Sequence, residues 1–370
     1  MWPENEPPER PGSQVRVVPE EYRGPRQTRP GPGHGGPDTN LDLEGYASRR
    51  MVVRLAFIGS GGVANWQHFD NLEPMDAAEI VAICDVDGDS ARSAAERFDA
   101  GVYTDHRALY EEAELDAVFV CLPPFAHEDQ ELMAAERGID LFVEKPLALS
   151  AEKAGAIDEC IEENGVIAQV GYNWRYSPGL DRARELLRDR TIGFVDGRWW
   201  GGVMGGEGHW WRRADRSGGQ VVEQATHLFD AIRYLAGDVE CVFAAGENEI
   251  SELVDFPDVT SATMRHGSGT VSHVTTSCAA EGDQVGLDVI ADGATIAVRQ
   301  NSIEGIVDGE EISDEFDANP YVREVEAFLE AVETRDDTGV RAPYADARKS
   351  LELTLAVDES IETGEPIDLS

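Results

Sequence analysis

Lysine is almost missing from this chain: of its 31 basic residues only Lys145, Lys153 and Lys349 are lysines, set against 72 acidic residues and a formal charge of −41. So acidic a surface repels nucleic-acid phosphates and anionic lipid headgroups, which argues against nucleic acid and membrane as partners. Cysteine is scarce too. Cys84, Cys121, Cys160, Cys241 and Cys278 form no CxxC pair and have no adjacent histidine, so no zinc site is indicated and they read as reduced, mostly buried thiols. Nor does any apolar run reach the ~18–20 residues that a membrane span requires.

The charge reads as a solvent adaptation. A polyanion repels itself in dilute buffer, but the Debye length shrinks to ~3 Å at ~1 M salt, so such a surface suits a salt-rich cytoplasm and points to a halophilic host. At 370 residues the chain exceeds the ~250–300 at which single cores stop growing, so two domains and a tail are expected. Residues 1–50 hold nine of the 18 prolines, seven glycines and no periodic apolar pattern, the composition of a disordered tail. Met51, directly before the first strand pattern, is read as the start of the folded chain.

What is present is organised around Val53 to Ala64. An apolar run breaks at Gly59, Gly61 and Gly62 and then reads as a helix, the order of a buried parallel strand turning into its crossover helix. Gly59 permits the tight turn, Gly61 lets backbone N–H groups approach a pyrophosphate, and small Ala64 lets helix and strand pack closely. Asp85, 21 residues after Ala64 at the end of the next apolar run, stands where a carboxylate meets the adenosine ribose hydroxyls. Strand and helix patterns alternate to Gly171, predicting a doubly wound parallel sheet over residues 51–171. Beyond Tyr172 the pattern changes to hairpins and amphipathic helices. Residues 172–370 therefore read as an α+β domain with a large, mostly antiparallel open sheet, one face of which pairs with another subunit as a homodimer or homotetramer, and the C-terminal helix is placed back on the first domain.

Three constellations carry chemistry. Leu122, Pro123 and His127 follow a strand at the sheet edge where ligands bind, His127 either touching the cofactor rim or starting a helix. Glu144-Lys145-Pro146 ends a later strand, and a lysine kept where lysine is otherwise discarded reads as an ammonium that stabilises a developing alkoxide. Glu223 and His227 are spaced to share one helical face, so the carboxylate is expected to orient an imidazole with a near-neutral pKa acting as proton acceptor. Trp199, Trp200, Trp210 and Trp211 fall within 13 residues, suited either to stacking on sugar rings or to a subunit contact.

With these motifs in order, the sequence resembles the glucose–fructose oxidoreductase, inositol dehydrogenase and rhizopine-catabolism (Gfo/Idh/MocA) family over roughly residues 52–370. The resemblance rests on Gly59 to Ala64 with Asn65 and His68, Asp85, Pro123 with His127, Glu144-Lys145-Pro146, Gly171 to Tyr176, and the helix bearing His227 and Asp230. It implies a Rossmann domain, NAD(P)-dependent chemistry on sugars, polyols or related rings, catalytic Lys145 and His227, and Asn173 and Arg175 near nicotinamide and substrate. Inositol dehydrogenases carry Asp where this chain has Glu223, so an inositol substrate is not carried over. The readings nominate Gly59, Ser60, Gly61, Gly62, Val63, Ala64, Asp85, Leu122, Pro123, His127, Glu144, Lys145 and Arg175 for the cofactor. Asn173, Arg175, Trp210 and His227 are nominated for the substrate and Lys145, His227 and Glu223 for catalysis, with no metal. Asp85 repels a 2′-phosphate, which favours NAD over NADP. A non-redox, NAD-dependent glycoside-cleaving enzyme and a cofactor-sensing regulator stay open as alternatives.

The charge argument predicts that stability rises with KCl. Chemical or thermal unfolding followed from salt-free buffer to ~2 M KCl checks this, and greatest stability without salt contradicts it.

Overall fold

The apolar run that precedes the glycines is strand β1, Val53–Ile58, in a computed structural model that describes residues 52–370. The tail expected over residues 1–50 and the start expected at Met51 lie outside the described residues. Beside β1 run β2 (Ala78–Cys84), β3 (Gly101–Tyr103), β4 (Ala117–Val120), β5 (Asp140–Val143) and β6 (Ala168–Val170), in the order β3-β2-β1-β4-β5-β6. Every pairing in this sheet is parallel. β4 and β5 are buried along their whole length, as expected of strands covered on both faces.

One face of the sheet carries a row of phenylalanines. Phe119 stacks on Phe57 at 4.8 Å and on Phe142 at 4.6 Å. Their cover comes from far along the chain. Helix Pro320–Thr334 brings Phe328 edge-on to both Phe119 and Phe142 at 5.6 Å, with Val325, Leu329 and Val332 beside it. Helix Tyr344–Thr363 covers the opposite face with Tyr344, Ala347 and Leu351. Two C-terminal helices thus complete the core of the first sheet.

The second sheet comprises β7 (Ile192–Trp200), β8 (Val239–Glu247), β9 (Val259–His266), β10 (Val271–Ser277), β11 (Gln284–Ala291), β12 (Ala294–Val298), β13 (Ser302–Val307), β14 (Glu310–Glu315) and β15 (Ile367–Asp368). Its order is β14-β13-β12-β11-β7-β10-β9-β8-β15, antiparallel apart from the β7–β10 pair. Strand patterns alternate cleanly, buried and exposed residues taking turns along β9, so one face is buried against helix Thr226–Ala236 and the other is open. All five cysteines are free; Cys84 and Cys278 are buried and the other three half-buried.

Arg175 corrects an expectation. It was nominated for cofactor and substrate, yet its guanidinium is buried and fully engaged. Nε donates to Asp230 Oδ2 at 2.8 Å, Nη2 to Asp230 Oδ1 at 2.6 Å and Nη1 to the Arg341 carbonyl at 2.6 Å, while Asp346 Oδ2 lies 2.6 Å from Nη2. Burial alone would lower its pKa, but Asp230 and Asp346 hold it above the ordinary arginine value. The residue ties the segment after β6 to helices Thr226–Ala236 and Tyr344–Thr363. Removing one partner of a buried pair strands the other charge, so Asp230→Ala should destabilise by about 3–5 kcal/mol, little altered by salt. Lys349→Ala, at the exposed pair with Asp238, should cost under ~1 kcal/mol; urea unfolding of both variants at low and high KCl separates the two cases.

Candidate active site

The turn after β1 has one sterically dictated glycine. Gly59 has φ +93°, and a Cβ there would lie 2.3 Å from the Cys121 carbonyl oxygen, so no side chain fits. At Gly61 and Gly62 a Cβ would meet nothing within 4 Å, which leaves their backbone facing open space. Asn65 Nδ2 pins the loop by donating to the carbonyls of Ser60 (2.6 Å) and Gly61 (2.9 Å). The expected helix from Asn65 to Leu72 begins instead as a π-helical stretch, Ala64–Phe69, with Ala64 fully buried.

A cleft of ≈ 850 Å³ opens along the C-terminal edge of the parallel sheet, a size suited to a ligand. Strand order places Asp85 at its β2 side, Gly59, Gly61, Gly62 and Val63 at β1, Leu122 and Pro123 at β4, and Glu144 and Lys145 at β5. Trp210 and Glu223 reach the same cleft from the second domain. Phe125, Val86 and Arg107 also line it, none of them nominated as a site residue from the sequence.

Asp85 is already held. Its Oδ2 accepts from Ser60 N at 2.8 Å and Ser60 Oγ at 2.9 Å, and its Oδ1 from Asp87 N at 2.9 Å. A carboxylate accepts about four hydrogen bonds, so capacity remains on the cleft side. Ser60, nominated for the cofactor, instead spends its hydroxyl on Asp85 and Ser90 (2.8 Å) and is buried.

Glu144 is the buried footing of the lysine turn. It accepts from Gln67 Nε2 at 2.9 Å and from Lys145 N at 3.2 Å, and pairs with His68 Nε2 at 2.8 Å. The Lys145–Pro146 peptide is cis. Lys145 Nζ donates to Glu223 Oε1 at 2.9 Å and to the Glu223 carbonyl at 2.7 Å. The other carboxylate oxygen, Oε2, accepts from Trp211 Nε1 at 2.6 Å. Glu223 is therefore committed to Lys145 and Trp211, and no hydrogen bond joins it to His227, which corrects the expected carboxylate–imidazole pair. The cause is local: Val221–Ala225 is π-helical, and in so wide a turn residues four apart no longer stack.

His227 is oriented by rings instead. Trp199 stacks on it at 5.9 Å with 16° between planes, and Tyr172 meets it edge-on at 5.9 Å. His227 is buried and, like Asn173, not among the residues lining the cleft, and its Nδ1 has no partner. Burial, then the nearby Lys145 charge, hold its pKa well below the ordinary 6.5, not near neutrality.

Two further nominations fall away from the cleft. His127 is buried, its Nδ1 paired with Glu131 and its Nε2 3.3 Å from the Leu122 carbonyl, so it anchors the loop into the domain. The helix expected from His127 starts only at Gln130. Asn173 is buried with Oδ1 accepting from Gln300 Nε2 at 2.7 Å, and is not among the cleft residues. The tryptophans divide: Trp210 lines the cleft near Phe125, Trp211 is buried behind Glu223, and Trp200 donates to Thr275 Oγ1 at 3.2 Å. Among the described residues no group of three His, Cys, Asp or Glu side chains could hold a metal, and no helix is long and apolar enough to cross a membrane.

The chain is similar to a D-xylose 1-dehydrogenase (NADP⁺) of Haloferax volcanii, 28% identical over 310 residues that cover 79% of this chain and 93% of that protein. It is also similar to a scyllo-inositol 2-dehydrogenase (NAD⁺) of Bacillus subtilis, 27% identical over 340 residues, 86% of this chain and 96% of that one. Its fold matches a crystal structure of an oxidoreductase from Agrobacterium radiobacter in complex with NAD⁺, L-tartaric acid and magnesium, with TM-score 0.79 and 20% identity over 86% of this chain and 98% of that chain. Residues 53–172 match the oxidoreductase family with an NAD-binding Rossmann fold, and residues 180–297 match the GFO/IDH/MocA C-terminal domain. Together these matches span more than half the chain, which belongs to the Gfo/Idh/MocA family of oxidoreductases.

Proposed function

We propose that this protein is an NAD-dependent dehydrogenase acting on a CH–OH group of a sugar, polyol or related cyclic compound. The observation that carries the reading is Lys145, held at the β5 end of a cleft whose β1 side is an open glycine turn, with a neutral, unpartnered imidazole close enough to feel its charge. A dinucleotide fits the residues present: Gly59 allows the turn, the backbone at Gly61 and Gly62 is unobstructed, and Asp85 retains acceptor capacity for ribose hydroxyls while repelling a 2′-phosphate. Gly59, Gly61, Gly62, Val63, Asp85, Leu122 and Pro123 would hold it.

The nicotinamide supplies the hydride acceptor. The chain's own groups handle the proton and the charge. Lys145 has three N–H donors and spends two on Glu223, which leaves one for a substrate oxygen. That hydrogen bond stabilises the alkoxide as it forms and the carbonyl oxygen that follows. His227, kept neutral, accepts the hydroxyl proton. Trp210 and Phe125 offer ring faces at the cleft for a sugar ring. Glu144 and Glu223 act as positioning residues, the first beneath the lysine turn and the second on the ammonium itself. The 51–171 and 172–370 division is retained as a functional one: the first part binds the dinucleotide, the second closes over the substrate.

The same reading places the protein in the cytoplasm of a halophilic host, on the strength of its charge and free thiols. It also makes the protein a homodimer or homotetramer through the second sheet. Phe243, Val271, Ile290 and Ile306 stand exposed along that sheet's strands, a row of apolar side chains suited to burial against another copy.

An NADH-absorbance screen of monosaccharides, sugar acids and polyols at ~1–3 M KCl tests the assignment. Accumulating NADH is expected. Release of an aglycone without net NADH would instead indicate the non-redox chemistry. On the substrate so found, Lys145→Ala should lower kcat by about 10²–10³ with NAD affinity nearly kept. Equal loss of both would make the lysine a cofactor clamp only.

A further inference from the structure

A second cavity, ≈ 590 Å³, lies apart from the dinucleotide cleft, between the loop at Asp255, the start of the π-helical turn and the last helix. Its floor is apolar, with Leu149, Val221, Phe256 and Leu355. Its rim is acidic. Asp215 is paired with Arg213, and Asp255 accepts from Ala214 N at 2.6 Å, so these two are satisfied. Asp358 is different: half-buried, it receives no hydrogen bond among the described residues, and Glu362 adds a second carboxylate beside it. Burial, then Glu362, push the Asp358 pKa up to about 7.

An independent observation comes from Gln220, which is 2% exposed and lines the same cavity. Its Nε2 donates to Gln224 Oε1 at 3.4 Å, which orients the amide and leaves Oε1 buried without a partner. The two unpartnered groups, Asp358 and Gln220 Oε1, are both acceptors. A buried acceptor without a donor costs ~1–3 kcal/mol, and more when charged, so the site is built for a ligand that brings donors and positive charge. The greasy floor selects against a bare hydrated ion, and a volume of this size admits a small organic molecule.

We propose that this cavity binds a primary alkylammonium compound, its ammonium donating to Asp358 and Gln220 Oε1 and its alkyl chain lying on Phe256 and Leu355. The site is separate from the hydride-transfer site but mechanically close to it. Phe256 meets Trp211 edge-on at 5.2 Å, and Trp211 donates to the Glu223 carboxylate that holds Lys145. An occupant is thus four contacts from the catalytic ammonium, through Phe256, Trp211 and Glu223. Loss of a proton from Asp358 strengthens the site, and the charged groups facing it are all acidic: Glu359 and Glu362 on its own helix, Asp215 and Asp255 across the cavity.

Isothermal titration of the full chain, loaded with NAD, against pentan-1-amine in ~1 M KCl tests the proposal, since salt at that level screens loose attraction to the acidic surface. The expected result is saturable binding at one site per chain, tighter at pH 8 than at pH 6. Asp358→Asn should weaken it about tenfold or more, while Glu111→Gln, an exposed acid far along the sequence, leaves it unchanged. NAD affinity measured in parallel reports that each variant is folded. The uncharged pentan-1-ol should not bind. Absence of saturable binding by a chain that still binds NAD overturns the proposal, as does equal pentan-1-amine affinity in Asp358→Asn and Glu111→Gln, which would signify only diffuse counter-ion attraction.

Discussion

The contact on which the site depends is the ion pair between Lys145 and Glu223. It is nearly closed to solvent, with 14% and 12% side-chain exposure, and it joins the end of β5 to a turn of the second domain. An ammonium desolvated at this depth is costly unless paired, and Glu223 supplies both a carboxylate oxygen and a backbone carbonyl. The same lysine, through its charge, helps keep His227 neutral. One interaction therefore holds a protonated amine whose charge reaches a neutral imidazole, the pairing on which the proposed proton transfer rests.

That ion pair has meaning only if the two sheets are held at one spacing. Phe328 wedged against Phe119 and Phe142 and the Arg175–Asp230–Asp346 network provide this from opposite sides of the parallel sheet. Helices remote in sequence complete the first core, so the dinucleotide-binding part is not self-sufficient: its central phenylalanines would face water without helix Pro320–Thr334. The acidic surface, by contrast, does little for the geometry of the site.

Legibility in the sequence followed the reach of each interaction. The glycine turn and the alternation of strands and helices were readable because backbone sterics and period-two or period-3.6 patterns are local, and Gly59 fits no other residue. Lys145 was readable by its rarity. Glu223 was identified but assigned the wrong partner, because spacing four implies a shared face only in an α-helix, and nothing in Val221–Ala225 announces a π-helical turn. His127 and Arg175 were misplaced because motif position says nothing of burial, and their partners Glu131, Asp230 and Asp346 are set by tertiary packing. Trp211 and Trp199 were seen only as a cluster, and the division of that cluster between the Glu223 carboxylate and the His227 ring is likewise tertiary. Arg107 carried no sequence signal of a cleft at all.

The central claim is that His227 is neutral because it is buried beside a charged Lys145. A pH titration of the protein with isotope-labelled histidine, followed by NMR and with His227 assigned by substitution, measures this directly. A depressed pKa keeps the imidazole unprotonated, so its resonance should stay in the neutral position until well below pH 6.5, and Lys145→Ala should move the midpoint upward by removing the neighbouring charge. A midpoint at or above 6.5, or one indifferent to Lys145→Ala, would contradict the account.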